Sequence, residues 1–343
     1  MILLVSHLTG CSGTKATPEP MGKAYFTYFD TVSYVYNYAG DPADEFDARS
    51  AGASAVLSTY HQLFDIYHEY SDMNNLCTVN RLAGGDPVPV DEKLIEFMLC
   101  ARDMYEKTNG EMNVMMGAVL NIWHEHRTEA GDDPKSATVP AEEELRAAAE
   151  QIDFSLLEID EENLTLRVTD PQASIDVGAL GKGYATERAA EYLRQDGAEG
   201  YVLNVGGNIR IIGTKPDGSG WITGVRDPAD PDGDFVCRLK LADTACVTSG
   251  TYERYYTVDG VRYHHIIDKD TLFPAEYFTS ITVVTQDSAL ADTLSTALFC
   301  MSYEEGLALT EQLGGVDVLW VCPDGTVLYT PGMSEYITQS EAN

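Results

Sequence analysis

Cations are scarce. The 343-residue chain holds 22 Lys and Arg against 55 Asp and Glu, a formal net charge of −33 at pH 7. Nucleic-acid binding draws on clustered cations for counterion release, and anionic membrane surfaces attract them directly. The charge disfavours both, and a nucleic-acid-binding role is excluded. An anionic small molecule is not, because a metal ion or a helix N-terminus neutralises charge locally. Long apolar runs are also missing, since no stretch reaches the roughly 18 residues that span a bilayer. Cysteine is sparse and unpatterned. The seven cysteines include no C-x-x-C pair and no Cys/His cluster at zinc spacing, which removes zinc and dithiol roles. A chain this long buries roughly three quarters of its unfolded surface and needs no disulfide staple. Neither G-x-x-x-x-G-K-[ST] nor G-x-G-x-x-G occurs, so neither a Walker loop nor a dinucleotide-binding βαβ unit is indicated.

The first residues carry a targeting signal or a coincidence. Leu8-Thr9-Gly10-Cys11 reads as a lipobox, in which the Cys11 thiol takes a diacylglyceryl anchor. The polar stretch from Ser12 to Pro20 resembles the tether that follows such an anchor. A basic n-region is missing and His7 interrupts the apolar run, so a chance Gly-Cys at a frayed terminus is the competing reading. The expected organisation is a signal remnant and tether over 1–23, one folded unit over 24–332, and a tail over 333–343.

Periodicity supplies the elements. Residues 24–38 are aromatic and β-branched, a strand or a bent pair of strands. Ala53, Val56, Leu57, Tyr60, Leu63, Phe64 and Tyr67 recur at helical spacing over 51–70, and a second helix is predicted over 91–108. A third helix over 114–125 ends near Trp123, and AEEELRAAAEQ after Pro140 forms a fourth. From 152 onward short strands dominate, including 173–177, 201–205, 209–213, 280–285 and 317–322, with helices at 183–196, 288–301 and 303–313. Pro323-Asp324-Gly325 turns the last two strands into a hairpin. Without regular βαβ alternation, the pattern reads as α+β, mainly antiparallel sheets with packed helices in interleaved sub-domains of a single globular unit.

Three constellations carry chemistry. A strand, a glycine-rich turn and an amphipathic helix succeed one another over 174–196, with Lys182 at the turn; glycine backbone N–H groups and a helix N-terminus suit a phosphate. A merely structural turn with Lys182 in solvent is the alternative. Asp292 and Thr296 are four residues apart, hence on one helix face, a hard oxygen pair suited to Mg²⁺. The competing view is an Asp satisfying the helix dipole. In RYHHIID, strand alternation sends His264 and His265 to opposite faces, so one histidine faces a site, with Asp268 as a nearby carboxylate. A structural histidine is the alternative there.

Together these stretches resemble the ApbE-like family, the FAD:protein FMN transferases. The pieces that match, in order over nearly all of 24–332, are TNGEMNVMMGAVLNIWHEHR, IDVGALGKGYATERAAEYL, VLNVGGNIRIIG, VTSGTYERY, YHHIID and ALADTLSTALF. The resemblance implies Mg²⁺-dependent transfer of FMN from FAD to a threonine or serine hydroxyl of a target flavoprotein, with AMP released. It implies Asp292 and Thr296 as side-chain ligands of Mg²⁺ and the Gly181 carbonyl as a third, where the family usually has Ala. It assigns Glu111, Met112, Asn113, Asp176 and Lys182 to FAD, and makes His265 the base. It also implies a bacterial lipoprotein, extracytoplasmic and held at the cell membrane through Cys11. Departures are Phe29-Asp30-Thr31 for Met-Gly-Thr, Asn113 for Asp, Lys269 for Pro, and Thr271-Leu272-Phe273-Pro274 for Thr-Gly-x-Pro. A Mg²⁺-dependent FAD pyrophosphatase and a non-catalytic flavin-binding lipoprotein are the alternatives.

Overall fold

The computed structural model describes residues 19–338 apart from 134, 231, 232 and 234, so Cys11 and the lipobox lie outside the described residues. The aromatic start folds as a hairpin of β1 (Met21–Tyr28) and β2 (Thr31–Asn37). Its turn residues Phe29 and Asp30 take φ of 55° and 51°, as a two-residue primed turn requires. There follow α1 (Ala43–Phe64), α2 (Leu76–Arg81), β3 (Val88–Pro89), α3 (Glu92–Lys107), α4 (Gly117–Asp132) and α5 (Glu142–Ala148). A small hairpin of β4 (Leu157–Asp160) and β5 (Thr165–Val168) precedes α6 (Gly181–Gln195). Next come β6 (Tyr201–Val205), β7 (Asn208–Ile212), β8 (Trp221–Arg226), β9 (Phe235–Leu241) and β10 (Ala245–Gly250). The last third holds β11 (Tyr255–Val258), β12 (Val261–His264), β13 (Ser280–Thr285), α7 (Ser288–Ala297), α8 (Tyr303–Leu313), β14 (Asp317–Val321), β15 (Val327–Tyr329), α9 (Met333–Tyr336) and β16 (Ile337–Thr338).

The main sheet has eight strands in the order β1-β2-β6-β7-β10-β13-β14-β15, and every pairing in it is antiparallel. This is the α+β class anticipated. Helices α1, α3 and α6 build the largest core with one end of the sheet, where Leu57, Phe97, Ala189 and Leu203 are fully buried. A second core lies under α7 and α8 around Trp320 and Phe299. Burying a large apolar side chain stabilises by roughly 1.5–3 kcal/mol, so these layers hold the helices on the sheet.

Several expectations need correction. α1 begins at Ala43 rather than 51, behind Pro42 and with Asp44 and Glu45 in its first turn. Within it, a Cβ at position 52 would overlap the Tyr192 ring, so Gly52 is what lets α1 lie close against α6. α4 runs on to Asp132, past the expected end at Trp123. Residues 173–177 are extended but belong to no strand. Asn80 instead brackets Ile175, its Oδ1 accepting from the amide at 2.7 Å and its Nδ2 donating to the carbonyl at 2.9 Å, while the Asp176 amide donates to the Val114 carbonyl at 2.8 Å. β10 was not anticipated, although it pairs with both β7 and β13. The supposed tail from 333 packs: Met333 is fully buried and β16 pairs with β9.

Candidate active site

A single cleft of about 1670 Å³ is lined by all nine residues that the resemblance assigns to the site: Glu111, Met112, Asn113, Asp176, Gly181, Lys182, His265, Asp292 and Thr296. It exceeds the roughly 300–1,000 Å³ of ordinary small-ligand pockets, leaving room for a dinucleotide and part of a second substrate.

The heart of the cleft is the crossing of α6 and α7. A Cβ on Gly183 would overlap the Ser288 carbonyl oxygen and Asp292 Cβ, so glycine is required for the two helices to touch here. At that contact the Gly183 amide donates to Asp292 Oδ2 at 2.8 Å. Lys182 Nζ donates to the Gly178 carbonyl at 3.3 Å and stands 4.0 Å from Asp292 Oδ2. Asp292 is only 4% exposed. Burial pushes its pKa above the usual carboxylate value, and Lys182 opposes that only in part. Thr296, one turn on, lines the same wall. The other end of α7 is held too: Ser295 Oγ donates to the Asp292 carbonyl at 2.9 Å and lies 2.8 Å from Ser249 Oγ of β10.

A buried carboxylate, a neighbouring hydroxyl and backbone carbonyls at a helix start form a hard oxygen set. Mg²⁺ typically takes one or two protein carboxylates and keeps several waters, so the set fits. Among the described residues no group of three or more His, Cys, Asp and Glu is placed to hold a metal. Soft or nitrogen-ligated metals therefore find no site of that kind, and Asp292 remains short of positive charge.

The two histidines separate, although β12 ends at His264 and His265 lies in the bend just past it. His264 is buried, Nε2 within 2.9 Å of the Ala275 carbonyl, edge-on to Phe299 at 5.7 Å. It is structural. His265 lines the cleft, and its buried Nδ1 has no hydrogen-bond partner. Burial first, then Arg254 and Lys182, push its pKa down to about 3, so the imidazole is neutral. The proposed carboxylate neighbour does not materialise: Asp268 Oδ1 accepts from the amides of Asp270 and Thr271 at 2.7 and 3.0 Å and closes a turn.

The remaining predicted contacts are uneven. Asp176 has a pKa raised chiefly by burial, and its Oδ1 accepts from the Gly178 amide at 2.8 Å. Glu111 pairs with Lys269 Nζ at 3.1 Å, so the lysine that replaces the usual Pro neutralises it. Asn113 is fully used as a cap, Oδ1 accepting from Met115 N at 2.9 Å and Nδ2 donating to the Ile152 carbonyl at 2.8 Å. The Met112 side chain is buried in the largest core. Sequence reasoning missed Glu187 and Arg210. Glu187 Oε2 accepts from Arg210 Nε at 2.9 Å and from the Ser288 amide at 2.8 Å, which fixes the start of α7 relative to α6. A lone acid among small residues on the buried face of α6 was the available signal.

A family model described as "ApbE family" matches residues 29–320. A protein of Treponema pallidum named "FAD:protein FMN transferase" is 30% identical, the match covering 97% of this chain and 93% of that protein. One of Klebsiella pneumoniae with the same name is 29% identical over 80% of this chain and 84% of its own length. Among solved structures, the ApbE protein of Thermotoga maritima superposes with a TM-score of 0.81 at 27% identity, covering 94% of this chain and 100% of that one. The flavin transferase ApbE of Vibrio cholerae gives 0.77 at 25% identity, covering 93% and 99%. The chain belongs to the ApbE family.

Proposed function

We propose that this protein is an FAD:protein FMN transferase that moves FMN from FAD to a threonine or serine hydroxyl of an acceptor flavoprotein, with Mg²⁺ bound and AMP released. Family membership and the relatives' names support the transferase class. One observation carries the chemistry: a neutral imidazole, His265, shares a cleft with the undercompensated carboxylate of Asp292 and the cation of Lys182. An aliphatic hydroxyl is a poor nucleophile near neutral pH and needs a base as it attacks. His265 takes the hydroxyl proton; burial keeps the ring unprotonated in the neutral range and its Nδ1 has no other partner. The Lys182 side chain faces the phosphate charge, the amides of Gly181 and Gly183 being engaged already by the Val177 carbonyl and Asp292 Oδ2. Asp292, Thr296 and the Gly181 carbonyl would hold Mg²⁺, which when bound withdraws charge from the diphosphate. Glu187 holds α6 and α7 together so that these groups converge.

The test is incubation with FAD, Mg²⁺ and an acceptor protein bearing a candidate threonine, followed by intact-mass analysis. A gain of one FMN, abolished by chelator, is the expected result. Free FMN and AMP without a mass gain would make the protein a pyrophosphatase, and bound but uncut FAD would make it a binder. Cys11 carries a second part of the proposal, that the protein is lipid-anchored on the outer side of a bacterial cell membrane. Radiolabelled palmitate incorporation, lost in Cys11→Ser, tests it.

A further inference from the structure

In so acidic a chain most arginines find a carboxylate: Arg49 pairs with Asp41, Arg210 with Glu187, Arg226 with Glu253. Two that line the cleft do not. Among the described residues, neither Arg127 nor Arg254 has a carboxylate oxygen within 4.0 Å. Arg127, on α4, meets only His124, Nη2 to Nδ1 at 2.8 Å, and that ring lies against Tyr67 at 5.4 Å between centroids. Arg254 stands just before β11. Because Tyr255 pairs with His264 across the β11–β12 hairpin, Arg254 is set opposite His265, and its carbonyl accepts from the His265 amide at 3.0 Å. Burial first, then the charge of Arg254, hold Arg127 below the usual arginine value, with Tyr67 and Asp176 opposing in part. Two like charges that line one cleft without a direct ion pair, offset only at longer range by Asp176 and Asp292, are better satisfied when an anion joins them.

We infer that Arg127 and Arg254 form a guanidinium clamp for the phosphate groups of the flavin dinucleotide, Arg254 beside the reacting phosphorus and Arg127 further out. The inference rests on the flavin-transfer reading above. In that reaction the acceptor oxygen bonds to the phosphorus carrying the flavin ribityl chain, and the P–O bond to the bridging oxygen breaks. The electron pair stays on that oxygen, which leaves as part of AMP, and the hydroxyl proton passes to His265. The charge gathering on the leaving phosphate is what forked guanidinium groups meet by donating parallel hydrogen bonds to its oxygens.

The experiment uses the full chain with Mg²⁺ present and three probes: FAD, riboflavin, which has no phosphate, and inorganic pyrophosphate. Dissociation constants are measured by calorimetry and flavin fluorescence for wild type, Arg127→Gln, Arg254→Gln and Arg254→Lys. Each Gln variant is expected to weaken FAD by roughly 10–100-fold, the value of a charge-assisted bond, with pyrophosphate weakened alongside and riboflavin kept within about twofold. Arg254→Lys, which keeps the charge and loses the fork, should recover part of the loss. Unchanged FAD affinity in both Gln variants overturns the clamp. So does a rise in the acceptor's KM with FAD binding intact, which would turn the pair toward the acceptor. Equal losses for riboflavin and FAD overturn it as well, reducing the arginines to structural roles. A wild type that binds pyrophosphate but not FAD, with the pyrophosphate lost in the variants, would refute the flavin reading and leave the anion clamp standing.

Discussion

Gly183→Ala tests how the site is assembled. The added Cβ would overlap the Ser288 carbonyl oxygen and Asp292 Cβ, both on α7 and neither the free end of a flexible side chain. Two effects oppose one another. In an open helical position, replacing glycine by alanine stabilises by about 0.5–1 kcal/mol. Forcing an extra carbon into a packed contact costs about 1–3 kcal/mol, and a backbone atom in the clash puts this case in the upper part of that range. The net expectation is a loss of about 2 kcal/mol. With an unfolding entropy of about 2.1 cal/mol/K per residue, that lowers Tm by about 3 °C in a chain of this length. Gly131→Ala is the control: it lies in α4, where a Cβ meets nothing within 4 Å, and should gain up to about 1 kcal/mol. Differential scanning calorimetry should therefore move the two variants in opposite directions. Separating the helices also strains the 2.8 Å bond from Gly183 to Asp292, so Gly183→Ala should forfeit the thermal stabilisation that Mg²⁺ gives wild type. A Gly183→Ala protein that melts at or above wild type would refute the close packing of α6 on α7.

Three other perturbations follow. Asp292→Asn removes a buried charge that burial alone holds above the ordinary carboxylate value, so the metal-free protein should melt higher while Mg²⁺ ceases to raise Tm; a Mg²⁺ response equal to wild type would sink the ligand assignment. His265 is folded as a neutral ring with a pKa of about 3 against 6.5 for the free group. The unfolded state therefore binds the extra proton as pH falls below about 6.5, and stability drops by about 1.4 kcal/mol between about pH 7.5 and 5.5. His265→Leu should flatten that segment in urea titrations, and an unchanged slope would place the dependence elsewhere. Ending the chain after Gly332 removes the fully buried Met333 and the β16 pairing; a loss of about 2–3 kcal/mol should appear as a lower urea midpoint, whereas no shift would make the segment dispensable.

Local pattern was enough for most of the elements, because apolar spacing at 3.6 or 2 residues reflects which face each segment buries. α3, α6, α8 and the β14–β15 hairpin lie close to where that spacing puts them. Pattern failed where a distant partner decides. Residues 173–177 have the composition of a strand, yet their backbone groups are taken by the Asn80 amide and by Val114, which no local signal announces. β10 looks like a loop, being small, polar and glycine-ended, and is a strand because β7 and β13 flank it.

The site divides in the same way. Asp292 and Thr296 share a helix face by spacing alone, and strand alternation anticipates the opposition of His264 and His265, so both pairs were open to a reader of the residues. Which histidine faces the cleft depended on what each side of the hairpin meets. The Asn113 amide proved to be a cap and Asp268 a turn-former, because the nearest backbone N–H groups claimed them first. Glu187 and Arg210, 23 positions apart in the chain, become partners, and Arg127 and Arg254, further apart still, come to line one cleft, only once antiparallel pairing and helix crossing bring their elements together. Short-range order is written in side-chain periodicity; the electrostatics of the cleft arise from contacts across the fold, where burial and charge act over distances in space that the order of residues does not record.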